Sequence, residues 1–387
     1  MPSFLHSAAI LATASLALAA PANTPYKKLT GSVPRMRTSH TNKAAIAHYH
    51  TYTKYHRTAP QHVQKAAAAD AGTGSVSATA EQYDSEYLCP VTVGNDQLNL
   101  DFDTGSSDLW VFSTITPSSE SSGHNLYNPD TGSQEQGETW NIGYGDGSGS
   151  SGIVYADTVV VGGATVTSQA VEAATSVSSQ FVKGNSDGLL GLGYESGNTC
   201  SPSQCQTFFG NFEASADSAV FTADLQTNGG SYDFGYIDSS KYSGPITYVS
   251  TLQQNPSYWD FTADSDENGN DIGYSIMDTG TSLWYMPDAS VSGYYANVQS
   301  AQNSQSDGGY VFSCDENLPD FSVSIGGTSF TVPGSSLNFQ PLGDGNCFGG
   351  LQDNDGLPGS IFGDVFMKNF FVVFDLGNNQ VGVANQS

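Results

Sequence analysis

From Tyr87 onward, short apolar and β-branched runs alternate with clusters of Gly, Asp, Asn and Ser. The stretches "YLCPVTVG", "LNLDFD", "GIVYADTVVVGG", "AVFTADL", "YVFSC", "FSVSIGG" and "FFVVFDL" each have strand length and are each bounded by turn residues. Few Lys, Glu and Arg are available to build helix surfaces, so helices should be few and short. The expected fold class is all-β, in sandwich or barrel grammar. A chain of 387 residues exceeds what one core usually supports, which predicts two lobes.

A longer repeat lies beneath the strands. The run "LNLDFD" ends in Asp103-Thr104-Gly105, and "YSIM" runs into Asp278-Thr279-Gly280, 175 residues later. Each is followed by an apolar-apolar-Gly element. Leu189-Leu190-Gly191 closes 88 residues after Asp103, and Ile361-Phe362-Gly363 closes 85 residues after Asp278. The same order at nearly the same spacing predicts two lobes of one design, 71–245 and 246–387, enclosing a cleft where the Asp-bearing loops meet.

A lone Asp-Thr-Gly is most often an ordinary turn with an Asx hydrogen bond. Two copies with matched partners argue for a shared site. Thr is small enough to bond across a pseudo-two-fold axis, and Gly lets a backbone N–H approach the carboxylate. Two carboxylates a few ångströms apart cannot both ionise easily, so the pair keeps one proton. One member then serves as general base on a water while the other polarises a carbonyl. The stretch "WNIGYGDGSGSSGIVYADTVVVGG" predicts a hairpin with its tip at Tyr144–Ser148, placed to close over the cleft as a lid. By contrast, "DSDENGNDIGYS" imitates a calcium loop but has Ser275 at position twelve, where a bidentate Glu is needed. It reads as a solvated turn, and neither a metal nor a cofactor is expected.

Charge divides unevenly. Eight of the eleven Lys and Arg precede residue 71, where the only acid is Asp70, which gives about +7 to the leader and −34 to the body. The start, "MPSFLHSAAILATASLALAAP", reads as a signal peptide cleaved near Ala19, although its n-region lacks Lys or Arg. Residues 20–70 then form a basic pro-segment drawn to an acidic body, an attraction that fades as body carboxylates protonate. A solvated leader with no later role is the bland alternative. The acidic body argues against nucleic acid as a partner, and no later run is long and apolar enough to span a membrane. An exported protein with five cysteines favours disulfides over zinc. We pair Cys314 with Cys347 and Cys200 with Cys205, leaving Cys89 as a buried free thiol. The only glycosylation sequon is Asn385-Gln386-Ser387 at the extreme C-terminus.

From about Glu86 to its end the chain resembles the pepsin-like aspartic proteases of the secreted fungal type, whose dyad follows the carboxylate-pair logic given above. The resemblance implies a bilobal pepsin-like fold and a secreted, monomeric acid endopeptidase made as a zymogen. Its catalytic residues would be Asp103 and Asp278, with Ser106 and Thr281 bonding the outer carboxylate oxygens. It makes Tyr144 the flap tyrosine and Trp110 the indole that its hydroxyl meets. Gly145 and Asp146 match flap groups that bind substrate backbone, while Gly105, Gly280 and Ser282 match contacts from the cleft floor. Asp101, Phe181 and Leu189 match the primary specificity pocket, and strand alternation independently puts Asp101 on the face of Asp103. Large apolar residues are expected on both sides of the cut, and Asp146 with Ser148 adds lysine on the acyl side and activation of trypsinogen. Lys54-Tyr55 would cap the dyad in the zymogen, and pepstatin-type inhibitors would bind the cleft. Gly143, where relatives usually carry Ser, and Met277, where a smaller residue is usual, depart from the pattern. A binding or inhibitor protein that kept the fold and lost catalysis is the alternative, and a two-carboxylate glycosidase is the alternative from chemistry alone.

Overall fold

The computed structural model describes residues 51–52, 72–252 and 257–387. The signal peptide, the Lys54-Tyr55 cap and the maturation site near Ala71 lie outside the described residues.

Strands dominate, and the longest described helix is Asp288–Tyr295. Every apolar run named above lies in a strand. The largest sheet has thirteen strands. In it Asp96–Asp103 pairs antiparallel with Tyr87–Val93 and parallel with Gly188–Gly191, setting Asp103 beside Gly191. The second half repeats the device: Asp271–Met277 pairs parallel with Ser360–Phe362, Met277 beside Phe362. A crossing strand completes each unit. Leu109–Val111 sets Trp110 against Leu189, and Trp284–Met286 sets Tyr285 against Ile361. Trp110 and Tyr285 each lie seven residues after their aspartate, so the repeat read from sequence is a repeat in space.

The halves share one central layer. Val220–Gln226 pairs antiparallel with Phe370–Asp375, which pairs with Gln380–Gln386, which in turn pairs with Tyr242–Ser250. Phe221 and Phe374 stack across the first of these pairings at 4.6 Å. Burying each such aromatic contributes about 2 to 3 kcal/mol, so this layer is a main source of cohesion. A second, smaller apolar cluster is built from Trp110, Phe112, Trp140, Ile142, Val154, Ala174, Val177, Leu189 and Cys200. It lies under the hairpin formed by Ser133–Gly143 and Gly149–Val161.

Both disulfides expected from the sequence are present, Cys200–Cys205 and Cys314–Cys347, and Cys89 is a buried free thiol on the strand Tyr87–Val93. The calcium-like stretch is a hairpin turn. Asp266 accepts from the backbone N–H groups of Asn268 and Asn270, each at 2.9 Å, and Asp264 accepts from Ser324 and Gly327. Among the described residues no three acids, histidines or cysteines are grouped to hold a metal, and no helix is long and apolar enough to cross a membrane.

Candidate active site

The two Asp-Thr-Gly loops meet and hold each other. Thr104 N–H donates to Thr279 Oγ1 at 3.0 Å, and Thr279 N–H donates to Thr104 Oγ1 at 2.9 Å. Each hydroxyl donates onward to the opposite strand, Thr104 to the Met277 carbonyl at 3.0 Å and Thr279 to the Phe102 carbonyl at 2.5 Å. All of this lies out of water, where an unmet partner would cost about 1 to 3 kcal/mol, so the loops are fixed in register.

This clasp turns the two carboxylates toward one another. Gly105 N–H donates to Asp103 Oδ1 at 2.7 Å, and Gly280 N–H donates to Asp278 Oδ1 at 2.9 Å. A methyl group at Gly105 would collide with the Asp278 carboxylate, and one at Gly280 with that of Asp103. No side chain larger than hydrogen fits at either position. The outer oxygens are treated differently. Thr281 Oγ1 donates to Asp278 Oδ2 at 2.6 Å. Ser106 stands beside Asp103 and holds its pKa down, yet its Oγ falls outside full hydrogen-bond geometry. Asp103 is 5% exposed, whereas Asp278 is half-buried. Burial, then the charge of Asp278, raises the Asp103 pKa to about 8. A pair of this kind retains one proton through the acid range, with an acid and a base side by side.

The pair opens into a cleft of about 880 Å³. The hairpin tip covers it: Tyr144 N–H donates to the Ser148 carbonyl at 2.9 Å, and Gly147 takes the positive φ of 81° that the turn requires. Trp110 Nε1 donates to the Tyr144 hydroxyl at 2.9 Å, and Phe181 meets both rings edge-on, at 5.0 Å from Trp110 and 5.4 Å from Tyr144. Burial, then the charge of Asp103, pushes the Tyr144 phenol far up, so it stays a neutral hydroxyl.

A sequence model described as eukaryotic aspartyl protease matches residues 86–386. Aspergillopepsin-1 of Aspergillus pseudoglaucus is 50% identical over 87% of each chain. Penicillopepsin-3 of Penicillium janthinellum is 45% identical over 98% of each. The solved structure of an aspartic proteinase from Irpex lacteus superimposes with a TM-score of 0.67 at 25% identity, over 81% of this chain and 98% of that one. The chain belongs to the eukaryotic aspartyl protease family. It is an aspartic endopeptidase of the fungal pepsin-like type with a bilobal all-β fold, and it acts on proteins or peptides.

Of the protease residues read from sequence, Asp101, Asp103, Gly105, Ser106, Tyr144, Gly145, Asp146, Ser148, Phe181, Leu189, Asp278, Gly280 and Thr281 line the cleft. Thr104 and Thr279 lie beneath it in the clasp. Ser282 is engaged elsewhere, its hydroxyl donating to the Ser85 carbonyl at 2.5 Å. Asp146 Oδ1 accepts from Ser148 N–H at 2.9 Å and from its hydroxyl at 2.6 Å, so the carboxylate is oriented within the hairpin tip. Burial, then Glu86, pushes the Asp101 carboxyl well above the usual range. Sequence reading missed Ile276, Tyr285, Asp353, Leu357 and Ile361 on the second wall. The internal repeat contained the signal for three of them: Tyr285 stands where Trp110 does, Ile276 where Asp101 does, and Ile361 where Leu189 does.

Proposed function

We propose that this protease is a secreted acid endopeptidase, made as a zymogen, in which Asp103 and Asp278 activate a water between them. The observation that carries the reading is the mutual placement of the two carboxylates by the Thr104–Thr279 clasp. The pair shares one proton, which the burial of Asp103 favours on that side. Water attacks the scissile carbonyl carbon, giving its proton to the ionised carboxylate, while the protonated carboxyl donates to the carbonyl oxygen. The tetrahedral diol then collapses: the amide nitrogen takes a proton, the C–N bond breaks, and the dyad returns to its single-proton state. Tyr144, neutral and held by Trp110, closes the flap over the reacting bond.

Asp101, Phe181 and Leu189 form the acyl-side pocket in this reading, which suits large apolar residues, and Asp146 oriented by Ser148 accepts lysine there. The acidic body holds its own basic pro-segment, residues 20–70, until acid releases it. The lobes divide near residue 245, and the mature enzyme acts as a monomer open to pepstatin-type inhibitors. The binding-protein alternative calls for loss of an aspartate or of the flap tyrosine, and Asp103, Asp278 and Tyr144 are all in place.

The test is peptide cleavage by the acid-treated protein at about pH 3 to 5, with and without pepstatin, beside Asp103→Asn. Pepstatin-sensitive cleavage that vanishes in the variant is the expected result. A folded, processed protein with no cleavage would overturn the proposal.

A further inference from the structure

The flap strand Ser133–Gly143 is the last strand of the large sheet, paired on one side with Gly149–Val161. Its other edge is covered by the disulfide loop. Thr139 and Ser201 exchange backbone hydrogen bonds at 2.9 and 2.8 Å, and Asn141 N–H donates to Thr199 Oγ1 at 3.2 Å. Asn198 Oδ1 organises this loop by accepting from the N–H groups of Cys200 at 3.0 Å and Cys205 at 2.8 Å.

The loop rests on two buried acids. Thr199 Oγ1 donates to Asp108 Oδ1 at 2.6 Å, and Asn198 Nδ2 donates to Glu172 Oε1 at 2.9 Å. Asp108 is 0% exposed and Glu172 is 1% exposed. Asp108 Oδ2 and Glu172 Oε2 are both buried without a donor, and the two carboxyl groups are held by consecutive residues of the same loop. Two carboxyl groups so placed can bond to each other only while one of them is protonated. No Lys, Arg or His is ion-paired to either among the described residues. The other titratable group held near both is Tyr144 itself. Cys200 is locked in its disulfide, and of the two acids on the flap strand Glu135 is exposed and Glu138 lies on the Trp140 face of that strand.

We propose that Glu172 is a positioning residue for the flap: the proton it shares with Asp108 seats the Asn198–Cys205 loop against the flap strand, and losing it unseats both. The register supports this placement, since Glu172 lies directly beside Trp110, the residue that bonds Tyr144. Burial, then the Asp108 charge, pushes the Glu172 carboxyl upward, so the proton is held in acid and lost as pH rises. The second half solves the same position without a proton. Gln352 lies beside Tyr285 as Glu172 lies beside Trp110. Its amide donates to the Tyr310 and Gly349 carbonyls at 3.1 and 2.8 Å and accepts from Tyr310 N–H at 2.7 Å. Leu283 stands in place of Asp108. The flap half alone therefore carries a proton-dependent support.

The role given to Tyr144 rests on the proposed function, so the test reads the flap and not cleavage. Amide hydrogen exchange of residues 139–148, corrected for its intrinsic pH dependence, is measured between about pH 4 and 8 in Asp103→Asn protein, where the dyad cannot contribute its usual titration. Protection should fall at least about tenfold across this range. Adding Glu172→Gln, whose amide donates to Asp108 without a titrating proton, should hold protection nearly constant, and Asp108→Asn should do the same by the other route. Glu172→Ala should lower protection at every pH. Identical pH profiles with and without Glu172→Gln would overturn the proposal, as would a profile flat from the start.

Discussion

The two halves carry the same unit, a strand running into Asp-Thr-Gly, a parallel strand running into Gly and a crossing strand, yet they finish it differently. In the first half the aspartate is buried, its neighbour two residues back is Asp101 and the crossing residue is Trp110. In the second the aspartate is half-buried, the neighbour is Ile276 and the crossing residue is Tyr285. Behind the crossing residue the first half keeps an acid pair and the second a self-satisfied amide. Symmetry brings the two carboxylates together, while asymmetry divides the rest: one half carries the hairpin over the cleft and puts Asp101 in its wall, the other lines its wall with Ile276, Tyr285, Asp353, Leu357 and Ile361.

The largest expected effects fall on what the halves share. Asp103→Asn and Asp278→Asn should each lower kcat/KM by about 10³-fold or more, measured on one peptide substrate, because each removes half of an acid–base pair. Should one of them keep substantial activity, the halves are not equivalent partners. Gly105→Ala and Gly280→Ala should come next, each driving a methyl into the opposite carboxylate, with activity lost while the fold is retained by circular dichroism.

Gln352→Glu sharpens the contrast. It places a carboxylate against the Tyr310 and Gly349 carbonyls, and it should cost about 2 to 4 kcal/mol of unfolding free energy near neutral pH. The loss should shrink in acid, where a protonated Glu can donate to one carbonyl. An unchanged stability curve would mean that the amide position is not selective.

Stability of the whole enzyme should itself fall as pH rises. The Asp103 carboxyl is raised from about 3.9 unfolded to about 8 folded, so the native state holds the extra proton across that window and loses the advantage as pH climbs through it. Burial raises Asp101 and Asp364 and takes Glu86 to about 7, all with the same sign. Urea midpoints measured across pH should show the decline, and Asp103→Asn should flatten part of it. The smallest effect expected is that of the double change Cys200→Ser with Cys205→Ser. A short closed loop contributes about 2 kcal/mol, and the loss should be felt mainly as weaker flap protection.

The strands, the two Asp-Thr-Gly loops and the hairpin over the cleft were legible because their signals are local: alternation, a three-residue turn, a Gly-rich tip. The clasp partner of Thr104 was legible through the repeat alone. The acid pair was not. Asp108 and Glu172 lie far apart in sequence, and an acid destined for a dry interior looks the same in a sequence as one facing water. Ser282 misled for a related reason, since its spacing from Asp278 fits the cleft while its hydroxyl finds Ser85 instead. The second wall of the cleft was written in the same repeat that revealed the dyad, in the offsets that join Tyr285 to Trp110 and Ile276 to Asp101.

The central layer bears on how such an enzyme is made. Val220–Gln226 pairs on one side with the nearby Gly229–Phe234, but its other edge waits for Phe370–Asp375, which pairs in turn with Gln380–Gln386. A growing polypeptide that has already emitted both aspartates still lacks the strands that close this layer and seal its halves together. A chain interrupted before Phe370 should therefore be left with this layer open and poorly folded, although it already carries both aspartates.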